Sequence, residues 1–164
     1  MLKSGRDQII LYMDITLHPI AIITNKRETP TDDFWGDTIS EITLLPHIPE
    51  EAFKGIEEFS HLEIIYFFNK ADDRKIVFSG RPRGNPAWPE MGIFCQRKKD
   101  RPNHLGLCTV ELIERTGRTI KVKFLDAIDG TPVLDIKPVF KEFELKGEIK
   151  QPAWTVELMK DYWK

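Results

Sequence analysis

Apolar and polar side chains alternate along two neighbouring stretches in the second half of the chain. Residues 119–124 bring Ile120, Val122 and Phe124 to one face and polar side chains to the other, and residues 109–112 alternate in the same way. A period of two is typical of strands with one buried face. Because only a short Thr-Gly-Arg turn region separates the two stretches, the pattern predicts an antiparallel hairpin with these three apolar residues in the core.

Apolar runs elsewhere predict further strands and little helix. The run 62–68 is almost continuously apolar, which is typical of a strand covered on both faces. A short helix is predicted over 49–54, because Pro49 lies at its start, acidic residues fill its first turn and Gly55 follows it. The other predicted strands are 15–24, 39–45, 75–78 and 133–136.

The end of the chain predicts an amphipathic helix. Trp154, Leu158 and Tyr162 are spaced four residues apart and form an apolar stripe. The stripe would dock either on the chain's own body or on a partner subunit. Trp35, which follows a polar loop, has two interpretations as well: a packing anchor for that loop, or a surface on which a base stacks.

The strand that ends at Phe124 leads into a turn rich in Asp, Gly and Pro. Asp126 and Asp129 lie in the sequence D-A-I-D-G-T-P, where Gly supplies positive φ and Pro restarts an extended chain. Aspartates in such turns commonly cap backbone amides. The alternative is that both carboxylates line a polar site at the end of a strand.

The composition predicts one soluble domain. The chain has 164 residues, 41% hydrophobic residues and a net charge of −2. It has no apolar run of eighteen residues, so no membrane span is expected, and the apolar stretch within residues 1–13 is too short for a secretory signal. The two cysteines, Cys95 and Cys108, fit small strand hydrophobes in a reducing cytoplasm.

Basic residues are concentrated in two loops, although the whole chain is slightly acidic. The acids in the region 81–101 are only Glu90 and Asp100. Such loops are often simply solvated. Here apolar stretches flank the second loop closely, which favours a fixed cationic patch for an anionic partner such as phosphate backbone. The residues expected to contact the phosphates, which would make them the RNA-binding residues if the partner is RNA, are Arg81, Arg83, Lys98, Lys99 and Arg101.

Several common catalytic motifs are missing from the sequence. No G-x-G-x-x-G follows a strand, and no P-loop, H-E-x-x-H or G-x-S-x-G is present. The four histidines are scattered and the cysteines lack C-x-x-C spacing, so no metal site is expected. From the residues alone, the chain is a β-rich domain with a cationic loop and an acidic turn, and no catalytic base can be named.

Two long motifs carry a resemblance to a known family. G-I-F-x-x-R-x-x-x-R-P-N-x-x-G-L begins at Gly92, and D-x-x-D-G-T-P-V-L-D-I-K-P begins at Asp126. From about residue 18 to residue 140 the chain resembles the TsaA-like family. The resemblance implies an all-β fold, a single-sheeted β-barrel over residues 14–140, followed by a C-terminal extension, 141–164, that carries the last helix.

The same resemblance implies a function. Family members use S-adenosylmethionine to methylate N6-threonylcarbamoyladenosine beside the tRNA anticodon, and they work as homodimers. We therefore expect a cytoplasmic, S-adenosylmethionine-dependent tRNA methyltransferase. Family position and the chemistry of the cofactor together give the expected cofactor-binding residues: Pro30, Thr31, Asp32, Asn69, Lys70, Arg97, Leu107, Asp126, Ala127, Ile128, Asp129 and Gly130.

The expected roles follow from side-chain chemistry. Asp126 and Asp129 would offset positive charge or bind hydroxyl and ammonium groups, and Arg97 would bind a carboxylate through its planar fork. Two alternatives stay open. One is a non-catalytic RNA-binding barrel that uses the same basic loops. The other is a methyltransferase for a small molecule, suggested by His104-Leu105 where the family has Pro-Ile.

Overall fold

The computed structural model describes residues 14–164, so the predicted apolar stretch of residues 1–13 lies outside the described part. Within it, strands dominate and most helical turns are single 3₁₀ turns, including one at Glu50–Phe53 where a short helix was predicted. A single α-helix, α1 (Ala153–Leu158), lies near the end of this range. The strands are β1 (Ala21–Thr24), β2 (Ile39–Leu44), β3 (His61–Phe67), β4 (Ser79–Gly80), β5 (Met91–Gly92), β6 (Leu105–Thr116), β7 (Thr119–Lys123) and β8 (Pro132–Pro138).

Six strands form a closed barrel in the order β1-β2-β7-β6-β3-β8, and every neighbouring pair is antiparallel. Closure removes the exposed edges that an open sheet would present. The predicted all-β, single-sheeted barrel is confirmed. The strands β4 and β5 form a separate two-stranded sheet in the long segment between β3 and β6.

The barrel interior is filled by alternate residues of its strands. The fully buried side chains include Ile23, Ile42, Leu62, Ile64 and Val122. Each comes from a position where the strand pattern alternates inward and outward. Burial of one such side chain contributes about 1.5–3 kcal/mol, so the alternation seen in the sequence is the main source of barrel stability.

The predicted hairpin is confirmed, with one correction at its end. β6 and β7 pair from Glu111↔Lys123 to Thr116↔Thr119. Phe124, which was expected in the core, lies beyond β7 with φ 66°, and Leu125 is the fully buried residue instead. The left-handed backbone breaks the alternation, and the Phe124 ring packs edge-on against Trp163 at 5.9 Å between centroids.

Three other predicted strands differ from the observed ones. The first is shorter than 15–24, since β1 covers only its last four residues. The run 62–68 is covered on one face only: Glu63, Ile65 and Phe67 are half-buried between buried neighbours. No strand forms over 75–78, where Asp72 caps a 3₁₀ turn by accepting the Arg74 amide.

The last fourteen residues pack on the chain's own barrel. α1 ends at Leu158 and the chain continues in turns, so Tyr162 lies beyond the helix that its spacing predicted. Trp154, Leu158 and Tyr162 are nevertheless all partly buried. Of the two predicted docking modes, the structure shows docking in cis. No helix within residues 14–164 is long and apolar enough to cross a membrane.

Tyr66 passes over Gly106 so closely that no other residue fits at this position. The two are register partners in β3 and β6, and a Cβ on residue 106 would lie 2.3 Å from the Tyr66 ring. We expect Gly106→Ala to lower the free energy of unfolding by about 1–3 kcal/mol, because the ring cannot move without disturbing the core. Urea denaturation measures this change.

Gly80→Ala is the matched control. A Cβ there meets nothing within 4 Å, so the free energy of unfolding should change by no more than about 0.5 kcal/mol. Equal stability losses in the two variants would contradict the steric account.

Candidate functional site

Barrel closure brings the loops after three strands to one end. In an antiparallel barrel, the carboxyl ends of alternate strands lie at the same rim. β1, β3 and β7 all end there: Thr24 pairs with Glu41, Phe67 with Leu105 and Lys123 with Ile39. The candidate residues at 30–32, 69–70 and 126–128 follow these three strands, so the fold brings them together.

These loops surround a cavity of about 860 Å³. Its walls carry six basic side chains against three carboxylates, from Asp32, Asp100 and Asp126. The volume is within the range of small-molecule sites. The predicted cofactor residues in the lining are Pro30, Thr31, Asp32, Asn69, Lys70, Arg97, Asp126, Ala127 and Ile128.

Asp126 is held between two phenols. Tyr66, from the barrel core, donates to its Oδ1 at 2.6 Å, and Tyr162, from the C-terminal segment, donates to its Oδ2 at 2.7 Å. Hydroxyl bonds to a carboxylate are charge-assisted and strong. Asp126 is only half-buried and lines the cavity, so its carboxylate is both oriented and accessible.

Burial, reinforced by the Asp126 charge, raises the pKa of Tyr66 well above its ordinary value. The same two causes, in the same order, raise the pKa of Tyr162. Both phenols therefore stay protonated and act as donors across the physiological range. The nearby Cys108 thiol also has a raised pKa, mainly because it is buried, whereas Cys95 lies exposed at the cavity wall.

Asp129 and Gly130 are not part of the cavity lining. Asp129 Oδ1 accepts the Asn25 amide at 3.1 Å, and the Gly130 amide donates to Ile23 at 2.9 Å. Of the two interpretations offered for the aspartates, Asp129 follows the capping one and Asp126 the polar-site one. Leu107 lines a smaller neighbouring cavity of about 200 Å³, together with Arg97 and Arg101.

Arg27 holds the loop after β1 in shape. Its guanidinium donates to the carbonyls of Asp33 and Phe34 and to the Thr31 hydroxyl. It also lies 4.2 Å from the centre of the Trp35 ring, which is a cation–π contact. Trp35 is only 3% exposed, so it serves as the packing anchor of this loop.

The predicted RNA-binding residues line the main cavity or the smaller one beside it, and some of their charges are paired with carboxylates. Arg83 is paired with Asp33 through two bonds of 2.8 and 2.9 Å, which ties two loops together. Lys99 contacts Asp100 at 2.6 Å, and Lys98 lies 4.0 Å from the same carboxylate. Arg81, Arg83, Lys98 and Lys99 line the main cavity and Arg101 the smaller one.

Two residues of the site were not identified from the sequence. Tyr66 was counted only as part of an apolar strand, and Tyr162 only as part of a helical stripe. A phenol inside an apolar run was the available signal, since a buried tyrosine hydroxyl normally needs a partner. Among residues 14–164, no three His, Cys, Asp or Glu side chains converge in a way that would hold a metal ion.

Fold and site together define a class: small closed β-barrels with a ligand-sized, mixed-charge cavity at one rim. The family model of the tRNA-methyltransferase O N-terminal domain matches residues 21–145. The chain belongs to this family, which confirms the TsaA-like membership that the two motifs predicted.

Curated relatives extend over most of the chain. A probable S-adenosyl-L-methionine-binding protein of Methanothermobacter thermautotrophicus is 34% identical over 139 residues, covering 82% of this chain and 97% of that protein. The tRNA (adenine(37)-N6)-methyltransferase of Escherichia coli is 38% identical over 102 residues, covering 58% of this chain and 42% of the enzyme. The human enzyme of the same name is 36% identical over 105 residues, covering 63% of this chain and 23% of the enzyme.

Solved structures have the same fold. A crystal structure of TrmO gives a TM-score of 0.69 at 26% identity, covering 85% of this chain and 64% of that one. A crystal structure of TrmO from Pseudomonas aeruginosa gives 0.68 at 24% identity, covering 86% and 63%. The chain thus spans just under two thirds of these solved chains.

The raised phenol pKa values make stability depend on alkaline pH. Because the folded pKa lies above the unfolded value of about 10, the contribution of each phenol is complete below pH ~10 and is lost as the pH rises beyond it. We expect the free energy of unfolding to fall slightly above pH ~8.5, where the unfolded Cys108 thiol ionises, and more steeply above pH ~10, where each phenol adds up to about 1.4 kcal/mol per pH unit. Urea denaturation from pH ~8 to pH ~11 measures it.

Tyr162→Phe isolates one of these groups. Tyr66 and Cys108 titrate in both proteins, so the variant should lose stability less steeply than the parent above pH ~10. Identical slopes would show that Tyr162 does not titrate with a raised pKa.

Proposed function

We propose that this protein is an S-adenosylmethionine-dependent methyltransferase that methylates N6-threonylcarbamoyladenosine beside the anticodon of tRNA. The observation that carries the proposal is the meeting of three separate segments, 30–32, 69–70 and 126–128, in one cavity, at positions where the family resemblance implies cofactor contacts. The names of the relatives support the same cofactor and the same class of substrate.

The chemistry of the cavity suits this cofactor. When bound, the cofactor supplies an activated methyl group on a cationic sulphur. The Asp126 carboxylate would offset cationic charge or accept from ammonium and hydroxyl groups, and the Arg97 guanidinium would pair with a carboxylate. The loops would hold the acceptor nitrogen in line, and orientation of this kind can lower a barrier by ~7–11 kcal/mol.

The basic residues of the cavity support an RNA substrate. Lys98, Lys99 and Arg101 lie on one short loop that lines both cavities, with Asp100 as the single acid among them. Lysine and arginine contacts of this kind bind phosphates without reading sequence. Recognition of the modified base would then depend on the cavity itself.

The assembly and the cellular location are also proposals. A homodimer is supported by large apolar side chains at the surface, such as Phe78 and Phe94, which are 73% and 81% exposed. Two unpaired cysteines support a reducing cytoplasm. Sedimentation equilibrium of the purified protein tests the dimer directly.

Binding of S-adenosylhomocysteine, the demethylated cofactor, tests the proposed function. We expect a micromolar dissociation constant by calorimetry, and an increase of about tenfold or more for Asp126→Asn, because a hydrogen bond to a charged group is worth about 1.5–3 kcal/mol. Asp135→Asn is the matched control, since Asp135 lies on β8 outside the cavity lining. Absence of binding by the folded parent protein would reject the methyltransferase and favour the RNA-binding barrel.

The salt dependence of tRNA binding tests the basic patch. Replacement of Lys98, Lys99 and Arg101 by Gln should reduce the slope of log K against log salt by about 2–3, because each phosphate contact contributes about 0.7–0.9. A filter-binding titration of a tRNA transcript at several salt concentrations measures the slope.

Lys141, Lys146 and Lys150 provide a control with the same change in charge. They are exposed and lie outside both cavities, so their replacement by Gln should leave the slope almost unchanged. Equal slopes in the two triple variants would show that RNA does not bind at Lys98, Lys99 and Arg101. Tight cofactor binding that no RNA enhances would favour the small-molecule methyltransferase.

A further inference from the structure

The C-terminal segment, residues 152–164, forms one wall of the cavity. Six of its residues contribute to the lining: Trp154, Thr155, Leu158, Met159, Tyr162 and Trp163. The match to the family domain ends at residue 145. One wall of this site is therefore built by residues that lie outside the matched family domain.

Backbone contacts fix this segment against the loop after β1. The amides of Phe34 and Trp35 donate to the carbonyls of Asp161 at 3.1 Å and Tyr162 at 2.8 Å. A Cβ on Gly36 would lie 2.0 Å from the Trp163 carbonyl oxygen, so the approach requires glycine. Since a six-residue helix is not stable by itself, these tertiary contacts determine where the segment lies.

The C-terminal segment also contacts the Asp126 carboxylate, through Tyr162. An aspartate with one oxygen held can rotate about its broad terminal torsion, whereas one with both oxygens held cannot. Tyr66 belongs to the rigid barrel core and is almost wholly buried. The second bond depends on the C-terminal segment, because Tyr162 supplies it.

We propose that Tyr162 is a positioning residue of the cofactor site. Its hydroxyl holds Oδ2 of Asp126 while Tyr66 holds Oδ1, so that the C-terminal segment fixes the carboxylate that faces the ligand. The proposal rests on the proposed function, because the ligand that Asp126 would meet is the cofactor. It adds a residue that the family motifs do not contain.

The test is a double-mutant cycle read by calorimetry with S-adenosylhomocysteine. Tyr162→Phe keeps the ring and removes the donor, so it should weaken binding about tenfold. Asp126→Asn should weaken binding at least as much. The double variant should bind no more weakly than Asp126→Asn alone, because the two changes remove one interaction. Fully additive losses, or a Tyr162→Phe variant that binds like the parent, would overturn the proposal.

Thermal unfolding separates positioning from plain stabilisation. A merely structural tyrosine would lower the melting temperature of Tyr162→Phe and leave its affinity unchanged, which would also overturn the proposal. Gly36→Ala tests the same proposal from the other side of the contact. Residue 36 is not part of the cavity lining, but its Cβ would clash with the Trp163 carbonyl and displace the C-terminal segment. We expect this variant to weaken binding as well, and parent-like binding would count against the proposal.

Val156→Ala is the matched control within the segment. Val156 is exposed, lies on α1 and is not part of the cavity lining. The variant should therefore bind S-adenosylhomocysteine with the affinity of the parent protein and unfold at the same temperature. If the parent itself fails to bind S-adenosylhomocysteine, the proposed function fails first, and that result is distinct from a failure confined to Tyr162.

Discussion

Closure of the barrel is the constraint on which the site depends. β1 and β8 meet through two register pairs only, Ala21↔Val133 and Ile22↔Pro132. Just beyond them, the Ile23 amide donates to Thr131 at 3.0 Å and so holds the end of the acidic turn against β1. This short seam brings the turn after β7 beside the loops after β1 and β3. An open sheet with the same strands would spread these loops along one end instead of gathering them around a cavity.

The cavity combines an excess of positive charge over its whole lining with one carboxylate, Asp126, that is held in a fixed orientation. Basic side chains outnumber acidic ones in the lining, which suits a polyanion approaching from solvent. Asp126 opposes that general charge at one defined point, held by two neutral phenols. A ligand that carries both a cationic and an anionic group would fit this arrangement better than one with a single charge.

The sequence predicted what repeats locally, and it missed what depends on distant contacts. The β6–β7 hairpin follows from alternation over residues 109–112 and 119–123, and the family resemblance located 30–32, 69–70 and 126–128. Phe124 lies outside the core because its own backbone is left-handed and ends the alternation of β7. The hydrophobic pattern does not reveal such a backbone conformation. Tyr162 reaches Asp126 through turns beyond α1, so its place depends on the contact of residues 161–163 with 34–36. A chain pattern does not encode such a contact between distant segments.

The two cysteines make the cavity accessible to optical measurement. Burial keeps the Cys108 thiol protonated and therefore unreactive, while Cys95 is exposed at the wall. A maleimide dye would then label the native protein at a single position without any substitution. Because Cys95 shares its wall with Arg97, the emission of that dye would follow the arrival of a ligand in real time.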